Sequence, residues 1–213
     1  MYVMYFILLY HDMRHYATYI FNDKQKNFLS IAVIERTSAG TFIQGVSNKR
    51  KLPSIFIENG TVTAGNAPGV NDGAAALVLM PEQEAKNQGI PILATIIGHE
   101  EVSQEARYIA TVPALSAIKL LKRHSVNIQD IDIIEVNEAF AAVALISNKI
   151  VGWKPERVNV DGGAIAIGHP LGASGARIMI HTIQALRERG GGLGLACICS
   201  GAAQGNAILI RVE

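Results

Sequence analysis

From residue 60 onward the apolar positions fall into short runs separated by glycine, proline and polar clusters. The period of those runs alternates between that of a strand and that of a helix. Residues 74–80 (AAALVLM) are continuously apolar, the pattern of a strand covered on both faces. Pro81-Glu82-Gln83-Glu84 opens a short helix, with proline at its start and acids in its first turn, and Gly89 and Pro91 end it. Residues 92–97 read as a β-branched strand. Thr111-Val112-Pro113 caps a helix to about Arg123, with Ala114, Ile118, Leu120 and Leu121 at helical spacing. A short strand follows at 131–136, then an alanine-rich helix at 138–149. Residues 176–189 carry Ile178, Ile180, Ile183 and Leu186 on a helix that stops at Gly190-Gly191-Gly192. Residues 193–199 and 206–212 close the chain as two strands joined by a tight turn. This alternation predicts an α/β fold, a mixed β-sheet layered with helices, with a domain boundary near Gly89.

The first fifty residues are harder to place. Residues 1–10 (MYVMYFILLY) are apolar but too few to span a bilayer as a helix, and they lack a basic flank and a small-residue cleavage pattern. Their tyrosines and β-branched positions allow a strand as readily as a buried helix. His11 and His15 stand at i, i+4 spacing, but no third metal ligand is evident, so no metal site is expected.

Composition changes this picture little. With 49% apolar residues the chain can bury a core. A net charge of +1 gives no reason to expect nucleic acid or an acidic membrane surface as a partner. Two cysteines at i, i+2 do not make a disulfide framework, which points to a reduced, cytoplasmic compartment.

The candidate chemistry lies in two stretches. His169, followed by Pro170, sits in a run holding Gly162, Gly163, Gly168, Gly172 and Gly175. Glycine admits backbone conformations and close approaches that a Cβ forbids, so this histidine is set against a tightly shaped backbone. Histidine is the usual general base near neutral pH. About thirty residues on, Cys199-Ser200-Gly201 offers a thiol and a bare backbone N–H that can face a developing negative charge. Asn137 stands where a strand gives way to a helix. Each signal is weak alone, and an incidental histidine in a glycine-rich connection is the alternative these residues leave open. Cys197 reads as a small hydrophobe within its strand, and His99, His124 and His181 as surface or satisfied core residues.

Four motifs taken together are more specific: Gly60-Thr61-Val62-Thr63-Ala64-Gly65-Asn66-Ala67-Pro68-Gly69, Asn137-Glu138-Ala139-Phe140, the run NVDGGAIAIGHPLGASGARI at 159–178, and Cys199-Ser200-Gly201. Their identity and order resemble the thiolase family, acetyl-CoA acetyltransferase type, from about Leu52 to the C-terminus. The resemblance implies a thiolase-like layered fold. Residues 1–50 form an unmatched leader, 51–90 a remnant of the N-terminal domain and 91–213 one complete C-terminal domain. It implies an acyltransferase that joins two acetyl-CoA molecules or cleaves acetoacetyl-CoA, with the coenzyme A thioester as substrate and no separate cofactor. His169 would be the base that activates an acyl-accepting cysteine and would contribute to an oxyanion site. Asn137 would hold a water completing that site. Cys199 would shuttle a proton, and the Gly201 N–H would serve a second oxyanion hole. Ala64, Gly65, Asn66, Ala67, Phe140 and Pro170 would line the substrate pocket. As partners the resemblance implies a second copy of the chain or a separate N-terminal half.

Three departures qualify this reading. Ala202-Ala203 replace two glycines common in the family, a change small enough for the turn to survive, and Pro68 replaces a serine often found there. The family carries its acylated cysteine in the first domain, whereas this sequence holds only Cys197 and Cys199. The expectation is therefore a chain inactive alone. A β-ketoacyl synthase-like enzyme uses Cys-His-His chemistry, which the Cys-x-Gly setting of Cys199 disfavours. A non-catalytic interaction subunit of the same fold is the remaining alternative.

Overall fold

The computed structural model describes residues 2–5 and 52–213. The proposed His11/His15 pair and most of the leader lie outside the described residues. In chain order the strands are β1 (Tyr2–Tyr5), β2 (Val78–Pro81), β3 (Ala94–Ser103), β4 (Ile133–Val136), β5 (Gly192–Ser200) and β6 (Gln204–Val212). The helices are α1 (Glu82–Asn87), α2 (Val112–Arg123), α3 (Ala141–Val151), α4 (Ala164–Ile167) and α5 (Ser174–Glu188). The described strands form one sheet in the order β2-β1-β3-β6-β5-β4. Every neighbouring pair is antiparallel except β4 and β5, which run parallel with Val136 opposite Cys197.

Side-chain alternation divides the core in two. Ile134 and Val136 of β4, Leu195, Cys197 and Cys199 of β5, and Ala207 and Leu209 of β6 face one way, onto Val112, Ala117, Leu120 and Leu121 of α2 and Val143 of α3. The intervening Ile133, Ala196, Ile210 and Val212 face the other way, onto Ile178, Met179, Ile183 and Leu186 of α5. The result is a three-layer α/β sandwich, with the sheet between α2/α3 and α5.

Several expectations need correction. Residues 74–80 are not a strand buried on both faces. The strand is confined to Val78–Pro81, alternates between half-buried and exposed, and leaves Leu79 exposed. It lies at the rim of the described sheet, so covering layers do not close over both of its faces. The strand expected at 92–97 runs on to Ser103 as β3, through an irregularity between Ile96 and Gly98, because the polar His99-Glu100-Glu101 stretch pairs in full with β6. The helix expected from 138 begins at Ala141: the Asn137 N–H donates to the Cys197 carbonyl, and Glu138 turns inward to another element. Ile118 falls on the solvent side of α2, and Ile180 is only half-buried on α5. Thr111 precedes α2 without capping it, because its hydroxyl donates back to the Tyr108 carbonyl at 2.8 Å; the other elements form close to where the sequence puts them. The triple glycine ends α5 with the Gly191 N–H donating to the Leu186 carbonyl, and β5 and β6 make the closing hairpin. Residues 2–5 adopt the strand option, pairing with β2 and β3.

Candidate active site

The parallel pair β4/β5 ends side by side, and its carboxyl end gathers the chemical groups. Asn137 follows the last residue of β4. Its backbone N–H donates to Cys197 and its carbonyl accepts from the Ala139 N–H, so both sides of the peptide are fixed. Cys199 lies two residues beyond Cys197 at the same end of the sheet, one strand over, with its side chain in the α2-side core. Burial pushes both cysteine thiols up, which keeps Cys199 in its protonated form at neutral pH. Gly201 opens the short turn Gly201–Ala203 into β6 and is exposed, with open space where a Cβ would stand.

His169 reaches this point from the opposite side. The segment 159–176 folds back over the end of β4, where Asn159 acts as a surrogate strand residue. Its N–H donates to the Ile134 carbonyl, its side-chain oxygen accepts from the Val136 N–H, and its side-chain amide donates to the Val136 carbonyl at 2.9 Å. The Asn159 amide also donates to the Glu138 carboxylate, which accepts in addition from the Ile165 N–H at the start of α4, at 3.0 Å. Glu138 is buried, and burial raises its pKa. A Cβ on Gly163 would collide with that carboxylate, so this glycine permits the close approach. Gly168, at φ +96°, then makes a left-handed turn against the Asn71 side chain and delivers His169.

The His169 imidazole lies between two side chains: Nε2 is 3.3 Å from the Asn137 amide nitrogen, and Nδ1 is 2.6 Å from Ser174 Oγ. Burial and, second to it, the Arg177 guanidinium lower its pKa, so it is neutral at pH 7 and able to accept a proton. Asn137 and His169 are thus in direct contact. Cys199 shares their end of the sheet but is joined to neither by a hydrogen bond among the described residues.

The early loop closes over the same place. The Gly69 carbonyl accepts from the His169 N–H at 3.1 Å, Val70 bridges His169, and the Asn66 carbonyl accepts from the Ala141 N–H at the start of α3. The Asn66 side chain is committed to its own loop, bonding the Thr63 N–H and the Thr61 carbonyl. Gly65 and Ala67 are buried within the loop, whereas Ala64 is exposed and Pro68 half-buried. Phe140 is exposed beside Phe56, edge to face with ring centroids 6.1 Å apart, and Pro170 is half-buried against Gly73.

Beneath Asn137 runs a charged network that the single-residue reading missed. Glu135 on β4 and Asn137 just past its end, two apart, face Arg177 and His181, four apart on α5. Arg177 donates to Asn137 Oδ1 at 3.3 Å and lies 3.9 Å from Glu135. His181 contacts Glu135 at 2.8 Å and Asp161 at 3.0 Å. Burial alone would push the His181 imidazole down, but the carboxylates of Glu135 and Asp161 outweigh it and lift the pKa to about 10. The signal available in the sequence was the matched spacing: i, i+2 polar residues on a buried strand opposite i, i+4 cations on the next helix. Among the described residues no group of three or more His, Cys, Asp or Glu is placed to hold a metal, and no helix is long and apolar enough to cross a membrane.

Comparison with known proteins agrees with this architecture. The family model "Thiolase, C-terminal domain" matches residues 90–212, and "Thiolase, N-terminal domain" matches residues 35–83. Acetyl-CoA acetyltransferase of Shinella zoogloeoides is 49% identical over 161 residues, covering 76% of this chain and 41% of the relative. Acetyl-CoA acetyltransferase 2 of Arabidopsis thaliana is 44% identical over 164 residues, with the same coverage. The crystal structure of human mitochondrial 3-ketoacyl-CoA thiolase, also solved in complex with CoA, superposes with a TM-score of 0.75 at 38% identity, over 82% of this chain and 43% of that one. The chain therefore spans about two fifths of the length of the relatives it matches. Sheet order, motif placement and these likenesses converge: the chain belongs to the thiolase family.

Proposed function

We propose that these residues supply the proton-transfer and oxyanion part of a thiolase-type acetyl-CoA C-acetyltransferase acting on a coenzyme A thioester. The observation that carries this reading is the contact between a neutral His169 and the Asn137 amide at the end of the parallel strand pair. His169 accepts the proton of the acyl-accepting thiol: the S–H bond breaks and an N–H bond forms. The resulting imidazolium, together with a water held by Asn137, faces the thioester oxygen as negative charge develops on it. Cys199, kept protonated by burial, is suited to give a proton to a leaving thiolate, and Gly201, two residues on, has open space where a Cβ would stand, leaving its backbone N–H for the second oxyanion hole. Ala64, Phe140 and Pro170 offer the wall against which the acyl-CoA lies, and Gly65, Asn66 and Ala67 shape the loop behind it.

The acyl-accepting thiol itself is supplied from outside these 213 residues, since both cysteines lie in β5. Exposed Phe56, Ile57, Val70, Phe140 and Leu171 around the His169 end offer an apolar surface for the polypeptide that brings it, or for a second copy of the chain.

The test is complementation. The isolated chain is expected to give no thiolysis of acetoacetyl-CoA above background and no acetyl-enzyme. Mixing it with a thiol-bearing N-terminal half from a relative is expected to restore thiolysis, and His169→Gln to lower the restored rate by about 10²–10⁴-fold. Restored activity indifferent to His169→Gln, or turnover-coupled acetylation of Cys199 in the isolated chain, would overturn the proposal.

A further inference from the structure

The contacts around His169 determine more than its position, because some of the groups can only donate. A guanidinium has N–H donors and no acceptor. Arg177 Nη2 faces Asn137 at 3.3 Å, so the atom that meets it is the amide oxygen. Asn137 is completely buried, and the flipped amide would set NH2 against guanidinium with no solvent to mediate. With the oxygen turned to Arg177, the Asn137 NH2 is turned to His169 Nε2, 3.3 Å away. Nε2 must then accept, and in a neutral ring the proton sits on Nδ1.

The other side of the ring accommodates the same answer, through a hydroxyl that can rotate to follow the tautomer that Asn137 sets. Nδ1 is 2.6 Å from Ser174 Oγ, and that hydroxyl has a single hydrogen, which it donates to the Pro170 carbonyl at 3.0 Å. The oxygen is left with lone pairs, so it accepts from Nδ1–H. Donation thus runs in one direction, from Arg177 through Asn137 to His169, and from His169 through Ser174 to Pro170.

From this geometry we infer that Arg177 is a positioning residue that, through the Asn137 amide, holds His169 as its Nδ1–H tautomer with the lone pair on Nε2. A neutral imidazole in water favours the opposite tautomer, so the protein selects the minor form. Arg177 itself lies against Glu135, which His181 holds in turn, with Asp161 on the far nitrogen of that histidine. Should the thiolase reading hold, Nε2 is the nitrogen that takes the proton. The tautomer assignment does not depend on that, and its measurement needs no turnover.

The experiment is a long-range ¹⁵N–¹H correlation spectrum of the full ¹⁵N-labelled chain at a pH where His169 is neutral, with His169→Gln identifying the signal. The expected spectrum has Nδ1 in the protonated range and Nε2 in the unprotonated range. In Arg177→Met, Asn137 loses the donor that fixes its amide, and Nε2 is expected to move toward the protonated range. Arg177→Lys retains a donor and is expected to restore the original pattern. Asn137→Asp, which keeps a partner for Arg177 and can only accept from the ring, is expected to put a proton on Nε2 and serves if Arg177→Met does not fold. A wild-type His169 with Nε2 protonated overturns the inference. So does a folded Arg177→Met, or an Asn137→Asp, in which Nε2 remains unprotonated. Failure of the complementation assay with the tautomer as expected would sink the thiolase role alone.

Discussion

The two faces of this sheet are built from the same strands yet do opposite work. On the α2 side, β4, β5 and β6 present Ile134, Val136, Leu195, Cys197, Cys199, Ala207 and Leu209, and the layer is apolar. Its ion cluster is peripheral: Glu100, on β3, pairs with Lys119 and Arg123, whose side chains are largely exposed. On the α5 side, alternate residues of the same β4 are Glu135 and, just past its end, Asn137, and they meet Arg177 and His181 under cover. One face therefore supplies packing and a thiol kept neutral by burial. The other supplies oriented charge at the cost of burying ions, and that charge governs His169. A strand four residues long serves both because its side-chain period is two.

The sharpest way to break this contrast is to damage each face equally and ask what else changes. Glu135→Gln leaves Arg177 and His181 without their shared buried counter-charge, an expected loss of about 3–5 kcal/mol in denaturant unfolding. Leu195→Ala on the α2 side is expected to cost about 2–5 kcal/mol through lost packing and a cavity. Stability alone will not separate the two variants. The His181 titration will: in Glu135→Gln it is expected to fall well below about 10, and in Leu195→Ala to stay there. Equal His181 behaviour in both would show that the network is incidental to the α5 layer.

Stability against pH reads the same contrast. His181 has its pKa raised from 6.5 to about 10 by folding, so its contribution is fully present below 6.5 and is lost as pH rises through about 10. The expected alkaline loss is on the order of 5 kcal/mol and is smaller in Glu135→Gln, where Asp161 alone still faces the imidazole. Glu100 behaves oppositely. Hydrogen bonds from Arg123 and Lys119 lower its pKa from 4.5 to about 2, so its contribution is present above 4.5 and is lost as pH falls through about 2. Because Lys119 and Arg123 reach into solvent, added salt is expected to flatten the acid limb and leave the alkaline limb nearly unchanged. Unfolding curves from pH 2 to 10 at low and high salt measure both limbs, and a salt-sensitive alkaline limb would contradict the burial of the His181 pair.

How far the sequence was legible follows the same division. The α2 side announced itself through periodicity: the helix to Arg123, the strand carrying Cys197 and the closing hairpin form where apolar spacing puts them. The thiolase motifs located His169, Asn137 and Cys199 as residues, but not the groups that orient them. Arg177, Glu135 and Ser174 read singly as ordinary polar residues, and their meaning appears only when the strand period is matched to the helix period across the layer. The misplaced start of α3 has the same origin, since Glu138 looks like a good helix former until its carboxylate is seen bonded to Ile165. The rim strand was over-read because an apolar run cannot say how many of its faces are covered.

The smallest expected effect concerns the turn that follows Cys199. Ala202 and Ala203 both occupy the left-handed region, at φ 59° and 52°, where a Cβ costs roughly 1–2 kcal/mol per residue. The turn nevertheless forms, with the Ala203 carbonyl accepting from the Gln104 N–H at 3.0 Å. Glycine would remove the strain at either position but adds roughly 0.5–1 kcal/mol of chain entropy to be lost on folding. At exposed Ala202 no packing is lost, so Ala202→Gly is expected to stabilise by about 0.5–1 kcal/mol. Ala203 is completely buried, and deleting its methyl sacrifices about 0.8 kcal/mol of burial, which cancels the relief. Thermal unfolding should therefore show a small gain for Ala202→Gly and no change within error for Ala203→Gly. The opposite order would mean that the buried methyl, and with it the apolar α2-side layer, contributes nothing to holding the end of β5.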